Sequence, residues 1–120
     1  MTAKRVVPAL LLGCFVLALP RLALAHALLE SSTPVAHATV HGPNVVIELR
    51  FNSRVDSQHS TLSIEAAGGS GPAEMVRDAQ HTETSLNGHA TLRPGNYVIQ
   101  WQALSTDGHI TRGEIPFSVQ

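Results

Sequence analysis

The segment Ser105-Thr106-Asp107-Gly108-His109 places a carboxylate and an imidazole one glycine apart, in a part of the chain that is otherwise strand-like. Alternation along an extended backbone sends the side chains of Asp107 and His109 to the same side, and Gly108 lets the backbone bend between them. An oxygen ligand and a nitrogen ligand are then presented together to one metal ion. Taken alone, the three residues are also consistent with a turn that carries an aspartate cap.

A second candidate ligand depends on where the chain is processed. Lys4 and Arg5 precede an apolar run over residues 6–19, and Ala23-Leu24-Ala25 has the small-x-small pattern after which signal peptidase cleaves. We therefore expect residues 1–25 to be a secretory signal peptide. The apolar run is shorter than the roughly 20 residues that span a bilayer, which argues against the alternative of a membrane anchor.

Cleavage after Ala25 makes His26 the first residue, so that its α-amine and its imidazole can close a chelate ring on one metal ion. Together with Asp107 and His109 they make a set of three nitrogens and one oxygen. This set suits the tetragonal preference of Cu(II), and the Irving–Williams order favours copper over competing divalent ions. The alternative is that the cut falls by chance before an ordinary histidine.

The composition excludes several other kinds of site. The only cysteine, Cys14, lies within the expected signal peptide, so neither a disulfide nor a thiolate metal site is expected in residues 26–120. The same range contains no lysine, and its five arginines against nine carboxylates give a formal charge of −4. A chain with this balance lacks the positive surface that neutralises phosphates, and we expect no nucleic-acid binding.

Short strands must position the candidate ligands. In Val45 to Phe51 every second residue is apolar, which is the period of a half-buried strand. The pattern recurs in Ser60 to Glu65, Tyr97 to Leu104 and Gly113 to Val119, and weaker strands are expected at Leu28-Leu29, in Glu74 to Arg77 and on either side of a turn at Asn87-Gly88. About seven strands without a sustained helical period predict an all-β fold, a single immunoglobulin-like antiparallel β-sandwich over residues 26–120.

The other histidines and the single tryptophan have ordinary interpretations. Trp101 lies mid-strand with apolar residues two positions away on both sides, and we expect it to anchor the core. The remaining histidines lack a neighbour at metal-ligand spacing and are expected on the surface: His37, His41, His59, His81 and His89. The alternative is a second metal site formed by two of them across the predicted turn, His81 and His89.

Four stretches of the chain resemble the CopC family of periplasmic copper resistance proteins. They are His26 to Pro34, Ile47 to Phe51, Pro94 to Ser105, and the close of the chain from Asp107-Gly108-His109 to Phe117-Ser118-Val119. The resemblance covers nearly all of residues 26–120 and implies a copper-binding β-sandwich. Its Cu(II) site uses the N-terminal histidine, an aspartate and a histidine, which correspond here to His26, Asp107 and His109.

Two positions depart from the family's pattern. Some members have a methionine-rich segment, with a histidine, that binds Cu(I) at the far end of the sandwich, whereas the Gly68 to Asp78 region contains only Met75. One thioether is too few for soft Cu(I). Ser53 stands where the best-known relative has a glutamate near the Cu(II) centre, so an oxygen ligand is missing there or replaced by water.

We therefore expect a monomeric periplasmic protein that sequesters or carries one Cu(II) ion per chain for copper homeostasis and resistance, without catalysis. The resemblance adds an inner-membrane copper transport protein of the CopD type as a partner. One alternative is a copper histidine-brace oxidase of the polysaccharide monooxygenase kind, although an anionic ligand such as Asp107 stabilises Cu(II) against the reduction that oxygen chemistry requires. The other is a metal-free immunoglobulin-like docking module, in which the pairing of Asp107 with His109 is accidental.

Overall fold

The computed structural model describes residues 26–120, so the expected signal peptide over residues 1–25, with Cys14, lies outside the described residues. The described residues form nine strands: β1 (Leu29–Thr33), β2 (Thr39–Val40), β3 (Asn44–Phe51), β4 (Thr61–Ala66), β5 (Pro72–Ala73), β6 (Val76–Arg77), β7 (Ser85–Thr91), β8 (Gly95–Leu104) and β9 (Ile110–Val119). Within this part of the chain there is no helix long and apolar enough to cross a membrane.

The strands form two sheets that enclose one core, with the orders β1-β3-β7-β6 and β2-β9-β8-β4-β5. Neighbouring strands are antiparallel except for β2, which runs parallel to β9. The predicted β-sandwich is confirmed. Two short edge strands, β2 and β5, were not expected, whereas β6 lies within the weaker strand expected in Glu74 to Arg77. Strands of two residues at a sheet edge leave few unpaired backbone groups exposed.

Alternation along the longer strands builds the core as predicted. Trp101 is 8% exposed and meets Phe51 edge to face, with ring centroids 5.3 Å apart, so its role as a core anchor is confirmed. The other predicted inward residues are also buried: Val45, Ile47, Leu49, Leu62, Ile64, Tyr97, Ile99, Ala103, Ile115, Phe117 and Val119.

The predicted turn at Asn87-Gly88 is wrong, because β7 runs straight through both residues. The Asn87 side chain is buried, and its Oδ1 accepts hydrogen bonds from Ser85 Oγ at 2.8 Å and from the His81 backbone N–H at 3.3 Å. A Cβ at Gly88 would lie 2.9 Å from the backbone oxygen of Val76. Asn87 therefore makes buried hydrogen bonds, and Gly88 allows β6 to lie close to β7; the two residues do not form a turn.

The β8–β9 hairpin places the candidate ligands at one end of the sandwich. Its two strands pair over ten consecutive positions, and the Ser105–His109 loop follows directly after β8. The segment after β3 holds this end in place, because Val55 forms a bridge with Ser105 and the Asp56 N–H donates to the Leu104 oxygen at 2.8 Å. The loop is therefore attached to both sheets.

Gly113 faces Trp101 across the hairpin, and a Cβ built on it would lie 2.7 Å from the nearest atom of the indole ring. We expect Gly113→Ala to lower the free energy of unfolding by about 1–3 kcal/mol, because the ring or β9 must shift to admit the methyl group. Urea denaturation measures the change. Arg112→Ala, at the adjacent exposed position, is the control, and an equal midpoint for both variants would contradict the expectation.

Candidate metal centre

A tight loop presents Asp107 and His109 at the end of the β8–β9 hairpin. The Ser105 N–H donates to the His109 oxygen at 2.8 Å, and the Gly108 N–H donates to the Ser105 oxygen at 3.0 Å. Gly108 has a φ of 90°, in the left-handed region that glycine enters without steric cost. The bend expected at this glycine is therefore present, and it turns the two flanking side chains towards each other.

Asp107 is held as a carboxylate by three hydrogen bonds. Its Oδ1 accepts from the buried Ser105 hydroxyl and from the His109 backbone N–H, and its Oδ2 lies 2.9 Å from His109 Nδ1. The Ser105 hydroxyl, followed by the backbone and ring N–H groups of His109, holds the pKa of Asp107 well below its usual range. The site therefore contains an oxygen donor that is anionic near neutral pH.

The contact with Asp107 also orients the His109 ring. When Nδ1 carries the proton and donates it to the carboxylate, Nε2 keeps its lone pair and is free to bind a metal. The side chain is 58% exposed, so an ion can approach this nitrogen from solvent.

The structure brings His26 against His109, with ring centroids 4.6 Å apart and ring planes at 74°. Two imidazole nitrogens that bind one ion lie within about 4 Å of each other, because each metal–nitrogen bond is roughly 2 Å long. The ring separation is compatible with a shared ion. The two sequence stretches that carry the predicted ligands thus converge on one point of the fold.

Two local features distinguish the segment that follows His26. Strand β1 pairs with β3 through a register shift between Leu29 and Ser31, a bulge of the kind that bends a strand and re-aims neighbouring side chains. Ala27 is 1% exposed, so the residue next to His26 is packed into the core. The start of the described chain is therefore built into the fold.

The donors are nitrogen and oxygen atoms of the kind that Cu(II) prefers, but they do not form a closed cage. Within residues 26–120 no group of three or more His, Cys, Asp or Glu side chains is arranged to hold a metal ion. Asp107 and His109 are hydrogen-bonded to each other, and the fourth predicted donor, the α-amine of His26, is not a side chain. The arrangement is an open set of two imidazoles and one carboxylate.

The five remaining histidines are exposed, as expected. Two of them contact carboxylates that the sequence analysis did not pair with them: His59 Nδ1 lies 2.7 Å from Asp56 Oδ2, and His89 Nδ1 lies 2.8 Å from Asp78 Oδ1. The hydrogen bond from His59 lowers the pKa of Asp56. The alternative second metal site loses its basis, because the turn that was to place His81 opposite His89 is absent from β7.

Two serines, Ser105 in the loop and Ser53 after β3, have buried hydroxyl groups whose environment the sequence did not reveal. Ser105 is buried and supplies the hydroxyl that fixes Asp107, a contact between positions two residues apart that a local pattern could have indicated. Ser53 has a buried Oγ with no hydrogen-bond partner among the described residues. A buried hydroxyl without a hydrogen bond lowers the stability of the fold. Ser53 stands at the position where the family resemblance leads one to expect a glutamate.

Comparison with known proteins gives consistent matches. The CopC domain model matches residues 29–120. Copper resistance protein C of Pseudomonas syringae pv. tomato is 30% identical over 116 residues, which cover 82% of this chain and 84% of that protein. Copper transport protein CutJ of Bacillus subtilis (strain 168) is 27% identical over 114 residues, which cover 92% of this chain but 21% of the relative. This chain therefore spans about a fifth of that relative's length.

A solved structure supports the same assignment at the level of the fold. The crystal structure of CopC from Methylosinus trichosporium OB3b superimposes with a TM-score of 0.72 at 30% sequence identity. The match covers 79% of this chain and 94% of that one. The fold is thus shared with a protein of that name.

Ser105→Ala removes the hydrogen bond that contributes most to the low pKa of Asp107. We expect that pKa to rise towards the ordinary value of about 3.9. NMR titration of the side-chain carboxyl carbon in metal-free protein measures the change. A carboxyl group whose pKa is lower in the folded than in the unfolded protein stabilises the fold at pH values above its unfolded-state pKa. This contribution is lost as the pH falls through its folded-state pKa. The variant should therefore lose less stability than the parent on acidification below about pH 4.

Thr106→Ala is the matched control, since Thr106 is the exposed neighbour in the same loop. It should leave the titration of Asp107 unchanged. An identical Asp107 titration in Ser105→Ala and in the parent would show that the hydroxyl does not hold the carboxylate.

Proposed function

This chain belongs to the CopC domain family, and we propose that it is a periplasmic protein that binds one Cu(II) ion and sequesters or carries it for copper homeostasis and resistance. The observation that carries the proposal is the convergence of His26 on His109, 4.6 Å between ring centroids, beside the carboxylate of Asp107. The names of the relatives, a copper resistance protein and a copper transport protein, support copper as the bound ion.

The proposed ligands are the α-amine and imidazole of His26, the imidazole of His109 and a carboxylate oxygen of Asp107. The amine becomes available only when residues 1–25 have been removed, so the proposal includes a signal peptide over those residues and a copper-binding domain over residues 26–120. Asp107 stays anionic and offsets part of the charge of Cu(II). One carboxylate and three nitrogens match the tetragonal preference of that ion.

The same donors disfavour Cu(I), which prefers thioether and thiolate sulfur. Met75 is the only methionine in the described part of the chain. It packs against the core cluster, and a Cβ built on Gly88 would lie 3.4 Å from its sulfur atom. Its thioether thus lies beside Gly88 and packs against the core. We propose a single Cu(II) site and no tight Cu(I) site.

We propose that copper is the cargo of this protein and takes part in no catalytic step. Asp107 supplies an anionic ligand, which stabilises Cu(II) against reduction. Exposure of His109 lets an incoming donor replace it by ligand exchange. An inner-membrane transport protein of the CopD type is the proposed recipient, because CutJ, named as a copper transport protein, contains a matching region joined to a much longer polypeptide.

The test is a Cu(II) titration of protein that begins at His26, with electron paramagnetic resonance at each step. We expect one equivalent to bind, with three nitrogens coordinated to the ion, because the site combines one amine and two imidazoles. A competing Cu(I) chelator should remove Cu(I) readily. Tight Cu(I) binding would contradict the single-site proposal, and the absence of any bound copper would favour the metal-free docking module.

Ligand substitutions locate the site in the same assay. Asp107→Ala and His109→Ala should each weaken Cu(II) binding more than about 100-fold. Mutating a residue that only hydrogen-bonds a metal ligand costs about 10- to 100-fold in metal affinity, and removing the ligand itself should cost more. His81→Ala is the control, because that ring is exposed and is not one of the proposed ligands. Equal affinity in His109→Ala and His81→Ala would remove His109 from the site.

The dependence on processing distinguishes an amine ligand from any arrangement of side chains alone. A chain extended by several residues without histidine before His26 carries an amide nitrogen there, which has no available lone pair near neutral pH. We expect Cu(II) affinity to fall by several powers of ten and the nitrogen count to drop. The comparison uses the same competition assay on both forms, and equal affinity with an unchanged nitrogen count would refute the chelate at His26.

A further inference from the structure

The backbone of residues 27 and 28 is held by both sheets at once. Thr111, in β9, donates its hydroxyl to the Ala27 oxygen at 2.6 Å. Asn52, directly after β3, accepts the Leu28 N–H on its Oδ1 at 2.8 Å and donates its own N–H to the Leu28 oxygen at 2.9 Å. We call these three hydrogen bonds the clamp.

The clamp joins the two halves of the proposed copper site. Ala27 is the residue after His26, and Thr111 lies two residues after His109, so one hydrogen bond connects the segments that carry the two imidazoles. Residues at the start of a domain usually fray unless they are tied down. Here the ties fall at the two positions that follow the proposed chelating residue.

We propose that Thr111 and Asn52 are positioning residues for Cu(II), which immobilise the backbone after His26 so that its donors face His109 before the ion arrives. The inference rests on the proposed function. Binding is weakened whenever the ion must order a mobile segment, because the lost conformational freedom is subtracted from the affinity. With the clamp intact, only the torsions of His26 itself remain to be ordered.

The clamp has the features of a positioning device more than of a stabilising one. Asn52 is exposed, and Thr111 is only half-buried, so neither side chain fills the core. Hydrogen bonds near the first residues of a domain add less to its cooperative stability than those of the central strands, since terminal segments can open locally without global unfolding. Loss of the clamp should therefore affect copper affinity more than the midpoint of unfolding.

The experiment uses protein that begins at His26 in four variants and the parent: Thr111→Val, Thr111→Ser, Asn52→Ala and Thr91→Val. Thr111→Val removes the donor at nearly constant volume, and Thr111→Ser restores a hydroxyl. Thr91→Val is the matched control, because it removes a hydroxyl that contacts Asn44 Oδ1 at 3.5 Å where β3 begins and β7 ends. Cu(II) affinity is measured by competition, coordination by electron paramagnetic resonance, and order by the ¹⁵N heteronuclear NOE of the Leu28 amide without metal.

We expect Thr111→Val and Asn52→Ala each to weaken Cu(II) binding by about fivefold to tenfold, the equivalent of one net hydrogen bond. The nitrogen count should remain that of the parent, because no ligand is removed, and the Leu28 NOE should fall. Thr111→Ser should recover most of the affinity, and Thr91→Val should match the parent.

Parental affinity in both Thr111→Val and Asn52→Ala, with a one-to-one Cu(II) site in the parent, would overturn the positioning role and leave the proposed function intact. An equal loss in Thr91→Val would also overturn it, since the effect would then be general destabilisation. If Thr111→Val does not fold, Asn52→Ala and Thr111→Ser decide the matter by the same criteria. Failure of the parent to bind Cu(II) would refute the proposed function and the clamp with it.

Discussion

The continuous pairing of β8 with β9 is the interaction on which both the core and the candidate site depend. Its inward residues, with Trp101 lying against Gly113, supply much of the apolar surface that drives the sheets together. A slip of one residue would turn every inward side chain to solvent, so burial fixes the register strongly. The same register places Asp107 and His109 in the loop at the hairpin end, and the hydrophobic effect thereby determines the position of polar ligands.

The proposed site lies where the two sheets meet, and this couples it to the fold. His26 precedes β1 in the four-stranded sheet, whereas His109 precedes β9 in the five-stranded sheet. Their contact therefore exists only when the sheets are packed. An ion bound by both residues would bind the folded state in preference to the unfolded chain, and its affinity would add to the free energy of unfolding.

A pairing of histidine with aspartate is not sufficient to make such a site. The pairs His59 with Asp56 and His89 with Asp78 have nearly the same nitrogen to oxygen distances as His109 with Asp107. In the described residues only His109 has a second imidazole against its ring. A divalent ion that leaves water needs protein ligands in place of the water molecules it loses. One imidazole and one carboxylate supply too few of them. Convergence of a separate segment, more than the local pair, distinguishes the candidate centre.

Local patterns in the sequence determined a large part of this protein. The period of two in β3, β4, β8 and β9 identified the buried faces, since a side chain in a strand faces the side opposite to its neighbours whatever the rest of the chain does. Gly108 between a carboxylate and an imidazole was enough to predict that their side chains approach each other. The composition of residues 26–120, without cysteine and with one methionine, limited any metal site to nitrogen and oxygen donors.

Tertiary structure decided the features that depend on distant residues. Asn87-Gly88 is typical of a turn in isolation, yet the nearby Val76 oxygen and the buried hydrogen bonds of Asn87 make the pair part of a continuous strand. The contact of His26 with His109 and the hydrogen bond of Thr111 to Ala27 join residues more than 80 positions apart in the sequence. Propensity and periodicity act over a few residues, whereas these contacts form only when two complete sheets bury their apolar faces against each other.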